Sequence, residues 1–131
     1  MSMTDRRRLR VLVADDHASV RENLRYLINA EADLECVGVV KDGARCIELC
    51  RELVPDVLVL DNTMPRADGV TVTRTLARGL PEIRVVMYTL DDEICPVARA
   101  FGAVACVSKD SPYEYLLQAI RNSVVVEAPL A

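Results

Sequence analysis

The aliphatic run at residues 57–60 is the feature of this sequence that most constrains its fold. The run reads Val-Leu-Val-Leu, and Asp61, Asn62, Pro65 and the pair Asp68-Gly69 follow it. Consecutive β-prone aliphatic residues are typical of a strand buried on both faces, and Asn, Pro and Asp-Gly indicate the loop that ends it. Asp61 is therefore predicted at the carboxyl end of a buried strand, either as a turn or helix cap or as a functional group.

Short strands and helices alternate along the rest of the chain. Apolar residues at helical spacing follow each predicted strand, and the predicted strands are residues 9–14, 34–40, 57–60, 83–88 and 104–108. The stretch 70–76 is rich in β-branched residues, but a right-handed crossover between parallel strands needs a helix there. The sequence predicts a doubly wound α/β domain with a parallel sheet. Ser19 or Asp16 is expected to cap the first helix.

Length and charge limit the domain organisation and the partners. A chain of 131 residues suits one domain, with an N-terminal arm at 1–8, the domain at 9–124 and a tail or linker start at 125–131. The net charge of −4 disfavours direct binding of nucleic acid by this chain. Its apolar runs are too short for a bilayer, and the run after the N-terminal arginines is too short for a signal peptide.

The cysteines predict a reducing environment. There are five, an odd number, and most stand among aliphatic residues: Cys36, Cys46, Cys50, Cys95 and Cys106. This pattern is typical of reduced, buried thiols in a cytoplasmic protein. Cys46 and Cys50 share one helix face, but the sequence supplies no second Cys or His pair to complete a four-ligand metal site.

Polar residues with complementary chemistry end four of the predicted strands. They are Asp15 with Asp16, Asp61, Thr89 and Lys109. The carboxyl ends of parallel strands meet at one edge of a sheet, so these side chains are expected to lie together. Clustered carboxylates raise one another's pKa unless a cation lies among them, and Mg²⁺ prefers oxygen ligands.

This set of residues suits phosphoryl transfer. A lysine and a hydroxyl can stabilise the equatorial charge of a phosphoryl group, and a carboxylate nucleophile would form an acyl phosphate. The alternative is a structural salt bridge between Lys109 and the acids at the rim of the sheet.

These residues together resemble the receiver domain of two-component response regulators. The resemblance covers roughly residues 9–124 and rests on the strand-end residues above, with Met64, Pro65, Asp68 and Gly69 after Asp61. Asp-Asp-His at 15–17 and Lys-Asp-Ser at 109–111 are most similar to the NarL and FixJ (LuxR-type) class. Receivers of that class usually precede a helix-turn-helix DNA-binding domain. The resemblance implies a flavodoxin-like (βα)5 fold with the strand order 2-1-3-4-5.

The resemblance also implies a function for each strand-end residue. Asp61 would accept a phosphoryl group from a sensor histidine kinase in a reaction that needs Mg²⁺ or Mn²⁺. Asp16, Asp61 and the backbone carbonyl of Thr63 would hold the ion, and Asp15 would support them through water. Lys109 would pair with the acyl phosphate, and Thr89 would move to hydrogen-bond it.

The resemblance implies a switch rather than an enzyme, with at most self-catalysed phosphotransfer and autodephosphorylation. The output of such a switch is the binding of a partner. The signal would leave through the fourth helix, fifth strand and fifth helix, where such domains dimerise or meet partners. The chain either acts alone or regulates a transcription factor that contacts DNA through a C-terminal output domain.

This sequence departs from the family pattern at two positions. Many receivers carry Phe or Tyr three residues before the lysine, where this chain has Cys106, so coupling to the output face is expected to be weaker or differently built. In many receivers a proline follows the lysine after a cis peptide bond. Asp110 replaces that proline here, and the sequence leaves open whether the Lys109–Asp110 bond is cis or trans.

Thr63 and Asp91 occupy positions that tune hydrolysis of the acyl phosphate in the family. His17 is expected to begin the first helix without moving a proton.

Two other functions stay open at this point. A receiver-fold interaction module that is never phosphorylated is compatible with Cys106. An aspartyl phosphatase or phosphotransferase on a related sheet would place a general acid two residues after the nucleophile, and Thr63 occupies that position.

Overall fold

Five strands and five helices alternate in the computed structural model, which describes residues 8–124. In chain order they are β1 (Leu9–Ala14), α1 (Ala18–Asn29), β2 (Leu34–Val40), α2 (Gly43–Leu53), β3 (Val57–Leu60), α3 (Gly69–Gly79), β4 (Arg84–Thr89), α4 (Cys95–Ala100), β5 (Ala105–Ser108) and α5 (Tyr113–Ser123). A short 3₁₀ helix, Asp92–Ile94, leads into α4. Apart from residue 8, the predicted arm at 1–8 lies outside the described residues, as does the tail at 125–131.

The strands form one parallel sheet in the order β2-β1-β3-β4-β5. This order confirms the doubly wound, flavodoxin-like fold predicted above. Leu60, the last residue of β3, pairs with Ala14 on one side and Met87 on the other. The residues that follow these strands therefore leave the sheet at the same edge.

β3 is buried on both faces because each face carries its own helical layer. Leu58 and Leu60 belong to a core cluster with residues of α2, α3 and α4. Val57 and Val59 belong to a second cluster with residues of α1 and α5. All four strand residues are buried, which is why the run contains no polar alternation.

The β-branched segment after Gly69 is helical, as the crossover argument predicts. The Asp68 side chain accepts a hydrogen bond from the Thr71 N–H at 2.8 Å and caps α3. Val72 and Leu76 are buried in the core, and the Thr73 hydroxyl donates to a backbone carbonyl one turn earlier at 2.8 Å. The helix cap, the packing in the core and the hydrogen bond of the threonine hydroxyl together outweigh the strand propensity of these residues.

The prediction that Ser19 or Asp16 caps α1 is wrong. The helix begins at Ala18, and His17 occupies the N-cap position without a side-chain capping bond. The Asp15 carboxylate instead accepts the His17 N–H at 2.9 Å. The Asp15 carboxylate thus bonds the backbone just before the helix, and the first turn of α1 has no side-chain cap.

The prediction of five reduced thiols is wrong for one pair. Cys95 and Cys106 form a disulfide, with their Cα atoms 5.8 Å apart. The two residues are separated by 11 positions in the chain, and the return from α4 to β5 brings them side by side. Cys36, Cys46 and Cys50 are free thiols. Within residues 8–124, none of the helices combines the length and apolar character needed to cross a bilayer.

Candidate functional site

The backbone of the sheet brings the predicted site residues to one edge. The Asp61 N–H donates to the carbonyl of Ala14 at 2.9 Å, so Asp61 stands beside Asp15. The Lys109 N–H donates to the carbonyl of Thr89 at 3.0 Å, which places the ends of β4 and β5 side by side. The predicted gathering of strand-end residues is present in the structure.

One lysine contacts two buried carboxylates at this edge. Lys109 Nζ lies 2.7 Å from Asp15 Oδ2 and 3.5 Å from Asp61 Oδ2. The exposed fractions of the three side chains are 13% for Lys109, 3% for Asp15 and 4% for Asp61. A buried cluster of this kind is far more sensitive to the loss of one partner than a surface ion pair.

The positive charge of Lys109 does not fully balance the effects of burial and of Asp15 on the Asp61 carboxylate. Burial raises the pKa of the Asp61 carboxyl, and the negative charge of Asp15 raises it further, while Lys109 only partly opposes both effects. Burial lowers the pKa of Lys109, but the carboxylates of Asp15 and Asp61 outweigh it, so the pKa of Lys109 is raised and the amine stays charged. A second cation would favour the ionised form of Asp61.

Four side chains offer ligand atoms around a common point. A carboxylate oxygen from each of Asp15, Asp16 and Asp61 and a ring nitrogen of His17 all lie within 4.8 Å of one another. His17 Nδ1 is 3.1 Å from both Asp15 Oδ1 and Asp16 Oδ1. Asp16 and His17 are exposed, whereas the other two are buried. A small cation could therefore enter from solvent and meet an oxygen-rich donor set, which suits a hard divalent ion.

The loop after β3 is fixed in place by close backbone packing. The Gly69 N–H donates to the Asn62 carbonyl at 2.9 Å, and the Asn62 side chain accepts the Val70 N–H at 3.1 Å. A backbone hydrogen bond from Thr63 also acts on the Asp61 carboxyl. A Cβ at Gly69 would lie 2.7 Å from the carbonyl oxygen of Asp61. Glycine at this position lets α3 begin directly against the backbone of the candidate site.

We expect Gly69→Ala to lower the free energy of unfolding by about 1–3 kcal/mol, because the added methyl group must displace backbone atoms. Gly79→Ala is the matched control at the other end of α3, where a Cβ would meet nothing within 4 Å. Chemical denaturation of both variants measures the difference. Equal stabilities would show that the loop gives way freely and does not fix Asp61.

Thr89 reaches the same edge with its hydroxyl already bonded. The side chain is 2% exposed, and its Oγ1 accepts the Asp91 N–H at 3.0 Å. Thr89 thus anchors its own loop, while Lys109 contacts both Asp15 and Asp61 directly. Thr63 follows Asp61 on the surface of the loop.

The sequence does not predict two features near Lys109, namely the state of the peptide bond that follows it and the bonding partner of Cys106. The Lys109–Asp110 bond is trans, as is every peptide bond among residues 8–124. Cys106 lies opposite Met87 on the neighbouring strand and is bonded to Cys95. The placement of one cysteine on a predicted strand and the other at the start of the preceding helix was the available signal for that bond.

A family model described as "Response regulator receiver domain" matches residues 11–121. The uncharacterized transcriptional regulatory protein YxjL of Bacillus subtilis (strain 168) is 37% identical over 92% of this chain and 56% of its own length. The transcriptional regulatory protein LiaR of the same strain is 35% identical over 86% of this chain and 54% of its own length. The chain thus spans about half the length of these curated relatives.

Solved structures show the same fold. The response regulator domain of Thermotoga maritima CheB aligns with a TM-score of 0.87 and 31% identity, covering 93% of this chain and all of that one. The signal receiver domain of the putative response regulator NarL from Mycobacterium tuberculosis aligns with a TM-score of 0.84 and 30% identity, covering 88% of this chain and 95% of that one. The resemblance to NarL and LuxR-class receivers is confirmed. This chain belongs to the family of response regulator receiver domains.

Proposed function

We propose that this chain is a phosphorylation-controlled switch in which Asp61 accepts a phosphoryl group from a sensor histidine kinase. Phosphorylation by a kinase is the general function of the family. The observation that carries the assignment to Asp61 is its buried position 3.5 Å from Lys109 and within 4.8 Å of the other acids, where burial and Asp15 raise its pKa. A divalent cation and a phosphoryl group together would complete the charge balance of this cluster.

The donor set fits Mg²⁺, or Mn²⁺, because it is built from carboxylate oxygens within 4.8 Å of one another. Asp16, Asp61 and the backbone carbonyl of Thr63 would hold the ion. Asp15 would act through water, since Lys109 already contacts it at 2.7 Å. The bound ion would neutralise charge on the phosphoryl oxygens.

The chemistry proposed for the protein side chains is an in-line transfer. A carboxylate oxygen of Asp61 attacks phosphorus, the bond to the kinase histidine breaks, and an acyl phosphate forms. Lys109 then pairs with the phosphoryl group, and the Thr89 hydroxyl exchanges its bond with the Asp91 N–H for one to a phosphoryl oxygen. Water then attacks phosphorus, the bond to the Asp61 oxygen breaks, and inorganic phosphate leaves as the carboxylate is restored. Thr63 and Asp91 flank the path of this water. The chain modifies its own residue and is a switch rather than an enzyme.

The output is proposed to pass through the surface formed by α4, β5 and α5. Exposed apolar side chains lie on this surface, namely Val97, Val104 and Tyr115. It would bind a partner or a second copy of the chain in the cytoplasm. We also propose that residues 9–124 regulate a DNA-binding output domain, because the relatives named above are transcriptional regulators about twice as long. The net charge of −4 supports DNA contact only through that further domain.

Acetyl phosphate with Mg²⁺ tests the proposal through intact-protein mass. The wild-type chain is expected to gain the mass of one phosphoryl group, and Asp61→Asn is expected to gain none. Asp33→Asn, at the opposite edge of the sheet, is the matched control and should be modified like the wild type. A folded wild-type chain that stays unmodified would favour the interaction module that is never phosphorylated.

A further inference from the structure

The Cys95–Cys106 disulfide joins two elements of the proposed output surface. Cys95 is the first residue of α4, and Cys106 lies on β5, three residues before Lys109. Cys106 pairs with Met87 on β4. The covalent bond therefore ties the start of α4 to the strand that delivers Lys109 to the candidate site.

This bond closes the connection between β4 and α4 at its far end. Thr89 holds the near end, because it is paired with Ser108 in the sheet. Within the connection, Thr89 Oγ1 accepts the Asp91 N–H at 3.0 Å, and the Asp91 side chain accepts the Glu93 N–H at 3.2 Å. A movement of the Thr89 hydroxyl toward Asp61 must therefore be accommodated by a segment that is fixed at both ends.

The disulfide is accessible to a reductant. Both of its cysteines are only half-buried. Cys106 is also among the residues that line an open cavity of about 710 Å³ beside β5, together with Arg99 of α4 and Tyr115 of α5. Cys46 and Cys50, by contrast, are fully buried in the core. Disulfides in cytosolic proteins, when present, are usually transient, and their reduction requires access for the attacking thiolate.

We propose that Cys95 and Cys106 form a reversible thiol–disulfide site that sets how strongly the β4–α4 connection responds to phosphorylation of Asp61. This inference rests on the proposed function. The oxidised form holds the connection in the conformation described here, in which the Thr89 hydroxyl is bonded to Asp91. The reduced form releases the start of α4 from β5 and so lowers the cost of moving Thr89.

The co-reactant is a protein dithiol that approaches the half-buried disulfide from solvent. Its thiolate attacks Cys106 Sγ, the sulfur–sulfur bond breaks, and Cys95 leaves as a thiolate that takes up a proton. The second thiol of the reductant then attacks the mixed disulfide and releases the thiol of Cys106. Two electrons and two protons pass to the pair, and the reductant ends as a disulfide. Oxidation by a protein disulfide reverses these steps.

Binding of beryllofluoride with Mg²⁺, as a mimic of the phosphoryl group, tests the inference when it is measured separately on the oxidised and the reduced chain. Thiol alkylation and intact mass establish the redox state in each sample. We expect the reduced chain to bind about tenfold more tightly, a size typical of coupling between two sites. Cys106→Ser and Cys95→Ser should each bind like the reduced chain under both conditions.

Cys36→Ser is the matched control, because Cys36 is a half-buried free thiol elsewhere in the fold, and it should keep the redox difference. Equal affinities in the two states, a difference that persists in Cys106→Ser, or alkylation of Cys95 and Cys106 after oxidation would each overturn the inference.

Failure of the proposed function has a separate signature. If neither redox form binds beryllofluoride although Cys95 and Cys106 resist alkylation in the oxidised sample and are alkylated in the reduced one, the phosphorylation proposal fails. Amide hydrogen exchange of residues 90–94, measured without any ligand, then tests whether the disulfide restrains the connection between β4 and α4. Slower exchange in the oxidised chain supports a restrained connection, and identical exchange in both forms overturns it.

Discussion

Lys109→Met is expected to lower the free energy of unfolding by about 3–5 kcal/mol at pH 7 without metal, because it leaves two buried carboxylates without their cation. Lys109 Nζ is 2.7 Å from Asp15 and 3.5 Å from Asp61, and both carboxylates are nearly inaccessible to water. Urea unfolding measures the loss. The deficit should shrink at acid pH, since a protonated Asp61 no longer needs a neighbouring charge.

Arg45→Met provides the control for the removal of a cation. Arg45 Nη1 lies 2.9 Å from Glu48 Oε1, but 48% of the arginine side chain is exposed. A surface pair of this kind contributes at most about 1 kcal/mol. If Lys109→Met cost no more than Arg45→Met, the strand-end cluster would be an ordinary rim salt bridge.

Asp61→Asn is expected to abolish stabilisation of the fold by Mg²⁺. At a concentration one hundred times its Kd, the ion should stabilise the wild type by about 2.7 kcal/mol. The variant should gain almost nothing, because it lacks the buried carboxylate that we propose as a ligand. Thermal or urea unfolding across a Mg²⁺ titration measures both values. A variant stabilised as strongly as the wild type would place the ion elsewhere.

The same variant gives a pH test with a defined sign. The pKa of Asp61 is raised above its ordinary value of 3.8 in the folded chain, so the folded state binds more protons than the unfolded state over that interval. Stability of the metal-free wild type should therefore fall as pH rises from 3.8 through the higher folded pKa. Asp61→Asn should lack this component, and unfolding curves at several pH values compare the two chains. A wild-type profile parallel to that of the variant would contradict the proposed environment of Asp61.

Much of the fold could be predicted because local patterns and topology agree. The run at 57–60 contains no polar residue because helices cover both faces of the strand. The uninterrupted apolar run in the sequence is enough to predict this burial. The segment after Gly69 favours a strand by propensity, yet the need for a right-handed crossover correctly predicts a helix. The common edge of the strand ends then followed from the parallel arrangement.

The details of the site depend on contacts that a linear pattern does not contain. Asp15 and Asp16 are adjacent and identical in type, but only Asp15 is buried and contacts Lys109. His17 was expected to begin α1, and its contact with both carboxylates depends on the direction of the chain as it leaves β1. The disulfide depends on the packing of α4 beside β5, which residue spacing alone does not define.

The position of the phosphoryl group tests the central claim most directly. Borohydride reduces an aspartyl phosphate to homoserine, so a chain treated with acetyl phosphate and then reduced carries a permanent mark at the acceptor. Trypsin should release residues 52–66, which contain both Asp56 and Asp61. We predict homoserine at 61 alone, and only when Mg²⁺ is present. A mark at Asp56, Asp15 or Asp16, or one formed equally well without Mg²⁺, would contradict the account.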